Sequence, residues 1–494
     1  MTETNSRAGA PSVEVPRRAW QALVVLLLGM FMALLDTTIV NVALPTIETS
    51  LDASEATLSW IISGYALAFG LALIPAGKVG DRIGHKWVFF AGLALFTVAS
   101  FACGLAQDDL QLVIARIVQG LAGGIFVPAV TAFIQLLFPG PVRGKAFAIM
   151  GAVIGVSTAL GPITGGLIIE VFGNENGWRG VFWVNLPIGI VGLVAAAMLL
   201  PKRSESEQPV QSGIDWVGLL LVTAGLVALL VPLIEGQDQG WPTWTYISLV
   251  AGVLLIAAFG AWEVFYTRRG HNPLVPPKLF THPAFTGGTI LALVYFASFT
   301  SIFFTLSLLW QSGLGNSALS SGAVMLPFAI GSIIASSQSN KLTQRLGRTV
   351  LLLGTSFVAI GLIWIWILLA TTDPSDLTNW MLLPPLLIGG LGNGAFIAPN
   401  AQFIVATVDR QDAGAASGVI STMQRIGSAV GIAVIGSVLF GSLNITGPDT
   451  VASGFMHAAS VAMGVSAAFG VLALLLVFAL PKRVDGARAP ARTE

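Results

Sequence analysis

The chain has 494 residues, of which 55% are hydrophobic and only 10% are Asp, Glu, Lys or Arg. Soluble domains carry about 25% of these charged residues, so we expect lipid to cover most of this chain, whose mean hydropathy is +0.83. A formal net charge of zero provides no basic field for nucleic acid. The single cysteine excludes a disulfide framework and a cysteine-based metal cluster.

The first hydrophobic run has the order of a signal peptide, because Arg17 and Arg18 precede an apolar stretch. A signal peptide, however, has a short apolar region that ends at a cleavage site. The run at residues 19–44 is too long for that, and no convincing cleavage site follows it. We therefore expect residues 1–18 to be a polar tail in front of a retained first span.

The rest of the chain divides into further hydrophobic segments, each near the roughly 20 residues that cross a bilayer as a helix. Cutting at the polar clusters predicts an all-α integral membrane protein with fourteen transmembrane helices. They lie at residues 19–44, 56–77, 87–106, 110–138, 143–169, 180–200, 213–234, 244–266, 284–309, 319–340, 349–370, 380–405, 413–440 and 454–480.

The charges of the connecting loops test this number of helices, because Lys and Arg collect on the cytoplasmic side. All of the 24 Lys and Arg residues except Arg116, Arg179 and Arg425 fall in the two tails or in alternate loops. The remaining loops are acidic. A missed helix would disturb this alternation from that point onwards, yet it persists to the end of the chain. We therefore expect a multi-pass protein of the cell (inner) membrane with both termini in the cytoplasm.

The two halves of the sequence repeat each other. Residues 77–85 have a weaker echo at 340–348, and residues 119–126 have one at 389–396. Such repeats are typical of transporters in which two helical bundles rock around a central site; duplication for packing alone is the alternative. The predicted order is an N-terminal cytoplasmic tail (1–18), a six-helix bundle (19–200), a cytoplasmic loop (201–212), two inserted helices (213–268), a cytoplasmic loop (269–283), a second six-helix bundle (284–480) and a cytoplasmic tail (481–494).

Once the loops are assigned, we place three charged residues deep inside spans: Asp36, Arg116 and Arg425. Each is costly in hydrocarbon and should face a cavity or a partner. Asp36 is too far from either end of its span to snorkel, and a buried, partly hydrated carboxyl group can gain and lose a proton as its exposure changes. The alternatives for Asp36 are a permanent structural salt bridge and a polar contact with Asn41 or Thr37.

The two arginines have several open interpretations. Arg116 lies seven residues after Asp109, about 10 Å in depth, so it either snorkels to the surface or turns inward toward Asp36. Gln119, one turn further, shares its helix face. Arg425 lies near mid-membrane, where it pairs with Asp36, attracts an anionic substrate, or binds backbone carbonyls at a helix contact.

Glycines mark two further segments. Gly77, Gly80 and Gly84 permit a tight turn in the predicted loop after the second span, where Asp81 can cap a helix or pair with Arg82 or Lys86; a merely basic cytoplasmic loop is the alternative. Small residues spaced about four apart allow close helix packing in the fifth span, and a proline adds a kink there. These residues are Gly151, Gly155, Gly161, Pro162 and Gly165.

A transporter of this plan has a large apolar cavity with a few polar groups. Aromatic and amide side chains at mid-span positions are the candidates for its lining, although lipid contact or core packing is the commoner role of any one aromatic residue. The predicted cavity residues are Asn41, Tyr65, Gln119, Phe126, Tyr295, Phe299, Trp310, Gln311, Phe328, Asn393, Asn400, Gln424 and Arg425.

These motifs together resemble the major facilitator superfamily, and within it the fourteen-span drug/proton antiporters. Residues 35–45, LDTTIVNVALP, are similar to the first-helix signature of that subfamily. Residues 77–86 resemble the superfamily loop motif, with His85 where Arg is usual. Residues 116–120 resemble the proton-transfer motif of the fourth helix, and residues 151–166 resemble the antiporter signature of the fifth helix. The likeness covers essentially the whole chain.

The resemblance implies the major facilitator fold and export of small molecules driven by proton entry, with no cofactor beyond the proton gradient. It implies that Asp36 is the protonation site, that Arg116 modulates it, and that Asp81 helps to lock the outward-facing state. Some relatives carry a second membrane acid in the C-terminal half. Helices 9 to 14 contain none here, which disfavours multivalent cations and favours monovalent, neutral or amphipathic substrates.

We therefore expect a monomeric antiporter whose partners are a small amphipathic substrate, protons and the bilayer. An importer, or a lipid or metabolite carrier on the same fold, is the alternative, because a fold does not fix direction. A membrane enzyme is disfavoured, since the four histidines have no metal-ligand spacing and no nucleotide-binding motif occurs.

Overall fold

The computed structural model describes residues 15–138, 140–173, 175–201, 215–236, 239–405, 408 and 413–480. Within these residues the chain is helical throughout its membrane segments, because only internally hydrogen-bonded helices satisfy the backbone in lipid. The N-terminal bundle contains α1 (Arg17–Leu51), α2 (Glu55–Ile83), α3 (His85–Leu105), α4 (Asp109–Leu137), α5 (Gly140–Phe172) and α6, whose two segments are Gly177–Trp183 and Asn185–Leu199.

Two inserted helices, α7 (Trp216–Glu235) and α8 (Thr243–Arg268), separate the bundles. The C-terminal bundle contains α9 (Pro283–Leu308), α10 with segments Ala318–Val324 and Leu326–Leu346, α11 (Thr349–Thr371), α12 (Asn379–Val405), α13 (Ala413–Gly441) and α14 (Val451–Phe478). Each of the fourteen predicted spans coincides with one of these helices. Thirteen are long and apolar enough to cross a membrane over their described residues, and in α5 the described apolar stretch is the shorter segment Leu160–Phe172.

Several helices have a side-chain cap at their N-terminus, at the end of the molecule where the turn between α1 and α2 lies. Ser54 accepts a hydrogen bond from the Thr57 amide at the start of α2, and Asp108 accepts one from the Gln111 amide at the start of α4. These caps satisfy amides that would otherwise lack a partner. We call this end of the molecule the far face, and the end at which α1 begins and α14 finishes the termini face.

The two bundles meet chiefly along three helix pairs. α2 packs against α13, α5 packs against α10, and α1 packs against α9. We call these contacts the bundle seam. α7 packs against α8 and lies beside α2 and α13, so the inserted hairpin is attached at the edge of the α2–α13 contact. Its two helices therefore extend the fold without dividing either bundle.

Two further buried acids occur among the described residues, Asp215, which caps the start of α7, and Glu263. Glu263 of α8 is only 3% exposed, and its Oε2 accepts a hydrogen bond from the Val275 amide at 2.8 Å. The prediction missed it because the residue lies within two turns of Arg268, where α8 ends. Its carboxylate therefore binds backbone just beyond the helix and does not lie at mid-span.

Candidate functional site

Asp36 lies near the middle of α1 with its side chain fully buried. Three donors surround the carboxylate. Nη1 of Arg116 lies 2.5 Å from Oδ2, while Oδ1 accepts hydrogen bonds from Nε2 of Gln119 at 3.0 Å and Nδ2 of Asn185 at 2.9 Å. Residues from α4 and α6 thus compensate the charge that α1 brings into the bundle. Of the interpretations left open for Arg116, the structure shows the inward one.

The Arg116 guanidinium is held on several sides. Its Nε donates to the Ile61 carbonyl at 3.1 Å, and its Nη1 also lies 2.6 Å from Oε1 of Gln119. The guanidinium carbon lies 4.0 Å from the centre of the Tyr65 ring, a cation–π distance. These contacts fix the orientation of the guanidinium. Because Arg116 is seven residues inside α4, which begins at the far face, the guanidinium lies in the half of the bundle nearer that face.

Two residues that sequence reasoning missed complete this cluster. Ser100 of α3 accepts hydrogen bonds from Gln119 at 3.1 Å and from Asn185 at 3.0 Å, and its hydroxyl donates to the Phe182 carbonyl at 2.8 Å. Asn185 begins the second segment of α6, directly after the break at Val184. Neutral polar residues are common in membrane helices, so neither one carried a sequence signal.

The Asn41 amide group does not make the predicted polar contact with Asp36. Asn41 donates to the carbonyls of Thr37 and Thr38 within α1, and the Thr37 hydroxyl donates to the Ala33 carbonyl. The Oδ1 atom of Asn41 is buried without a hydrogen-bond partner among the described residues. The predicted cavity role of Asn41 stays a prediction.

The glycine-rich segment after the second span is helical over most of its length, so its prediction as a loop was wrong. Gly77, Gly80, Asp81 and Arg82 belong to α2, and only Gly84 forms the turn, with φ of 100°. A Cβ at Gly80 would lie 2.4 Å from Nδ1 of His85, so this glycine allows the histidine ring to pack against α2. The Asp81 and Arg82 side chains lie outside the described part of the structure, and their switch role stays a prediction.

The glycines of α5 divide between two contacts. Cβ atoms at Gly161 and Gly165 would collide with Thr38 and Ile39 of α1, inside the N-terminal bundle. The carbonyl of Pro162, the residue after Gly161, would lie 2.3 Å from a Cβ at Gly322 of α10, which is a contact across the seam. Gly151 and Gly155 are also in α5, but their surroundings lie outside the described part of the structure.

Two predicted cavity residues of the N-terminal bundle lie within its interior. Phe126 is fully buried and packs edge-to-face against Phe89 and Phe96, with ring centroids 5.6 and 5.8 Å away. Gln119 belongs to the Asp36 cluster. The structure therefore places Phe126 in the core of the N-terminal bundle, away from the seam. Gln119 contacts Asp36 and Arg116.

The C-terminal bundle brings several predicted residues together. The Tyr295 hydroxyl donates to Oδ1 of Asn393 at 2.9 Å, and Nδ2 of Asn393 donates to the Ser332 hydroxyl at 3.0 Å. The rings of Phe299 and Phe328 stack with centroids 6.0 Å apart. These residues form one polar and aromatic wall from α9, α10 and α12 that is buried within the C-terminal bundle.

The remaining predicted cavity residues lie apart from that wall. Asn400 donates to the Gly288 carbonyl at 3.3 Å, and the Trp310 indole nitrogen donates to Ser320 at 3.3 Å. Nε2 of Gln311 donates to the Val42 carbonyl of α1 at 3.0 Å. Gln424 is half-buried in α13 next to Arg425.

Three of the four described hydrogen bonds across the seam lie in the half nearer the far face, and the fourth, from the Thr422 hydroxyl to the Gly70 carbonyl at 3.1 Å, lies nearer the termini face. The Ser307 hydroxyl donates to the Asn41 carbonyl at 2.6 Å, and Gln311 makes the contact with Val42 described above. On the other side of the seam, the Ser63 hydroxyl donates to the Ala429 carbonyl at 3.2 Å. Together with the contact between Gly322 and Pro162, these interactions close the far face between the two bundles.

A two-bundle helical fold with a buried ion pair in one half and a closed seam at one face defines a multi-pass membrane transporter. Comparison with known proteins identifies the family. Residues 26–432 match the model of the Major Facilitator Superfamily, and the chain belongs to that family. It is a transporter and not an enzyme.

Related transporters and resistance proteins match this chain over most of its length. The chain is 35% identical to the probable actinorhodin transporter of Streptomyces coelicolor, covering 89% of this chain and 76% of that one. It is 31% identical to the tetracenomycin C resistance and export protein of Streptomyces glaucescens, covering 90% and 81%. It is also 31% identical to the methylenomycin A resistance protein of Streptomyces coelicolor, covering 96% and 97%.

Solved structures share the fold at low sequence identity. An auto-inhibited peptide transporter of the POT family has a TM-score of 0.67 and 15% identity, covering 94% of this chain and 96% of that one. The xylose transporter XylE from E. coli, in a partially occluded inward-open conformation, has a TM-score of 0.62 and 13% identity, covering 94% and 98%.

Proposed function

We propose that this transporter exports amphipathic small molecules, antibiotics among them, in exchange for protons that Asp36 carries. The observation that carries the proposal is the buried ion pair between Asp36 and Arg116. The three relatives, named for the transport of, or resistance to, antibiotics, support the substrate class and the direction. We further propose that the chain works as a monomer in the cell membrane, with its termini face in the cytoplasm and the proton gradient as its only energy source.

In this proposal the carboxylate has two states. With the far face closed, Asp36 is ionised and bound to Arg116, and burial keeps the pair out of contact with bulk water. When the seam opens at the far face, water reaches the cluster and a proton neutralises Asp36, which releases Arg116 from the ion pair. Protons and substrate are coupled because each has a different affinity for the two arrangements of the bundles.

The test is efflux of rhodamine 6G from proteoliposomes with an imposed pH gradient, comparing the wild type with Asp36→Asn. The amide retains the shape of the side chain and cannot carry a proton. We expect gradient-driven transport to fall at least about tenfold, while binding of the dye to the purified protein is retained. The matched control is Asp52→Asn, which changes an acid at the far-face end of α1 in a left-handed conformation that Asn also tolerates.

Unchanged gradient-driven transport by Asp36→Asn would contradict the role of Asp36. Vesicles of defined orientation separate export from import, because an exporter accumulates the dye only in vesicles whose termini face points outward. Accumulation in the opposite orientation would favour the importer.

A further inference from the structure

Arg425 is a charged residue at the seam that takes no part in the proposed proton cycle. It lies 12 residues after the start of α13 at Ala413 and 16 residues before its end at Gly441. At 1.5 Å per residue these separations are about 18 Å and about 24 Å. The side chain therefore cannot reach the polar region at either end of the helix.

The side chain of Arg425 crosses from the C-terminal bundle to the inward side of α2. Its guanidinium carbon lies 4.1 Å from the centre of the Phe69 ring, and its Cβ would lie 2.9 Å from a Cβ placed at Gly70. Phe69 is on the same helix face as Tyr65, whereas Ala66 and Leu67, on another face, pack against the inserted hairpin. The guanidinium thus lies at the seam between the two bundles, and Arg425 is half-buried.

Among the residues that the structure describes, this guanidinium has no counter-charge. No described carboxylate lies within ion-pair distance of Arg425, and the Asp36 carboxylate is bound to Arg116. The described helices of the C-terminal bundle contain no Asp or Glu. Phe69 covers one face of the guanidinium, but a cation–π contact uses none of its five N–H donors. An unpaired charge at this depth is costly, and a ligand with an anion can supply the missing partner.

We propose that Arg425 binds an anionic group of the substrate, so that the transporter accepts amphipathic compounds with a carboxylate beside an apolar ring system. The proposal rests on the proposed export function and specifies its substrate class. The planar fork of a guanidinium matches the two oxygens of a carboxylate. The Phe69 ring, which already lies against the guanidinium, provides an apolar setting for the rest of such a compound.

The experiment compares two xanthene dyes, fluorescein with a free carboxylate and cationic rhodamine 6G. Binding of each dye to the purified full-length protein is measured by equilibrium dialysis in detergent at one pH, against empty micelles. In Arg425→Gln we expect fluorescein binding to weaken at least about tenfold, because a charge-assisted hydrogen bond is lost. Rhodamine 6G should bind as before or more tightly. Arg425→Lys retains the charge and should keep part of the fluorescein affinity.

The matched control is Arg269→Gln. Arg269 also lies over a phenylalanine ring, 4.3 Å from Phe265, but it is at the exposed end of α8 outside both bundles. We expect this variant to bind both dyes as the wild type does. Unchanged fluorescein binding in Arg425→Gln would overturn the proposal, and so would an equal loss of both dyes, which would indicate a packing role.

Transport assays with the same dyes separate this proposal from the proposed function. If the wild type exports rhodamine 6G under a proton gradient but neither binds nor exports fluorescein, export is supported and the anion site is refuted. If it binds fluorescein through Arg425 but moves neither dye under the gradient, the anion site is supported and proton-driven export is refuted.

Discussion

At the scale of single residues, the Asp36–Arg116 pair depends on both partners. Both side chains are at most 1% exposed, so their mutual attraction offsets the cost of removing two charges from water. Removing one partner leaves a buried charge without compensation, typically at a cost of about 3–5 kcal/mol, whereas removing both removes that penalty. The pair therefore behaves as one unit in its effect on stability.

This dependence predicts a non-additive pair of substitutions. Arg116→Gln and Asp36→Asn should each lower the midpoint of thermal unfolding in detergent, because each leaves one buried charge without its partner. The double variant should unfold at a higher temperature than Arg116→Gln alone. A coupling free energy of about 0.5–3 kcal/mol is usual for residues in contact. Simple addition of the two single effects would contradict a direct charge coupling.

The sequence identified the charged members of this cluster but not its neutral ones. Asp36 and Arg116 were predictable because charges are rare and costly inside spans, and Gln119 because it shares a helix face with Arg116. Ser100 and Asn185 were not predictable. Their role depends on where α3 and α6 place them relative to Asp36, and only the tertiary structure supplies that information.

At the scale of helices, α5 and α10 approach each other backbone to backbone at the far face. A Cβ at Gly322 would lie 2.3 Å from the Pro162 carbonyl, and a Cβ at Gly166 would lie 2.7 Å from the Leu319 Cα. Backbone atoms cannot yield as flexible side chains do, so only glycine permits this closure. The close contact between α5 and α10 thus holds the far face shut, and a single larger side chain at one of these glycines would prevent it.

Gly322→Leu should therefore favour opening of the far face. The reporter is Ser307→Cys, since Ser307 is 1% exposed and lies at the α1–α9 contact. We expect a membrane-impermeant maleimide to label this cysteine faster in the presence of Gly322→Leu. The protein without the reporter gives the background of buried Cys103.

Gly260→Leu is the matched control, because a Cβ at Gly260 of α8 meets no atom within 4 Å. Its labelling rate should equal that of the reporter protein alone. Equal labelling of Gly322→Leu and this control would mean that the α5–α10 contact does not hold the far face shut.

The positions of the helices were predictable from hydropathy, and some of their ends were not. α2 continues to Ile83 and α1 to Leu51, beyond the predicted ends at residues 77 and 44. Glycine and proline mark turns in soluble proteins, but membrane helices tolerate them where neighbouring helices support the backbone. Gly77, Gly80 and Pro45 lie inside helices for this reason.

At the scale of the whole molecule, the alternation of charged loops and the alternation of helices agree. The basic loops predicted to be cytoplasmic, such as the segment after α8, lie on the termini face, and acidic residues such as Asp108 lie on the far face. The sequence repeats anticipated the two bundles. They did not indicate which face would be closed, because both arrangements of the bundles use the same helices and loops.

The final prediction concerns whether α5 crosses the membrane, because its described apolar stretch is the short segment Leu160–Phe172. Gln107 precedes α4, and Gly447 follows α13, so ten helices, α4 through α13, separate them. An even number places both residues on one side of the membrane. We expect Gln107→Cys and Gly447→Cys, each in its own protein, to be labelled by an impermeant maleimide added outside intact cells.

His271→Cys, in the segment after α8, should be labelled only after the membrane is permeabilised, and the unmodified chain corrects for Cys103. Labelling of Gln107→Cys from outside together with protection of Gly447→Cys would mean an odd number of crossings between them. The cationic loops beyond α5 would then lie outside the cell, which the positive-inside rule disfavours. Labelling of both from outside supports α5 as a full span and places the termini face, toward which the proposed proton is released, in the cytoplasm.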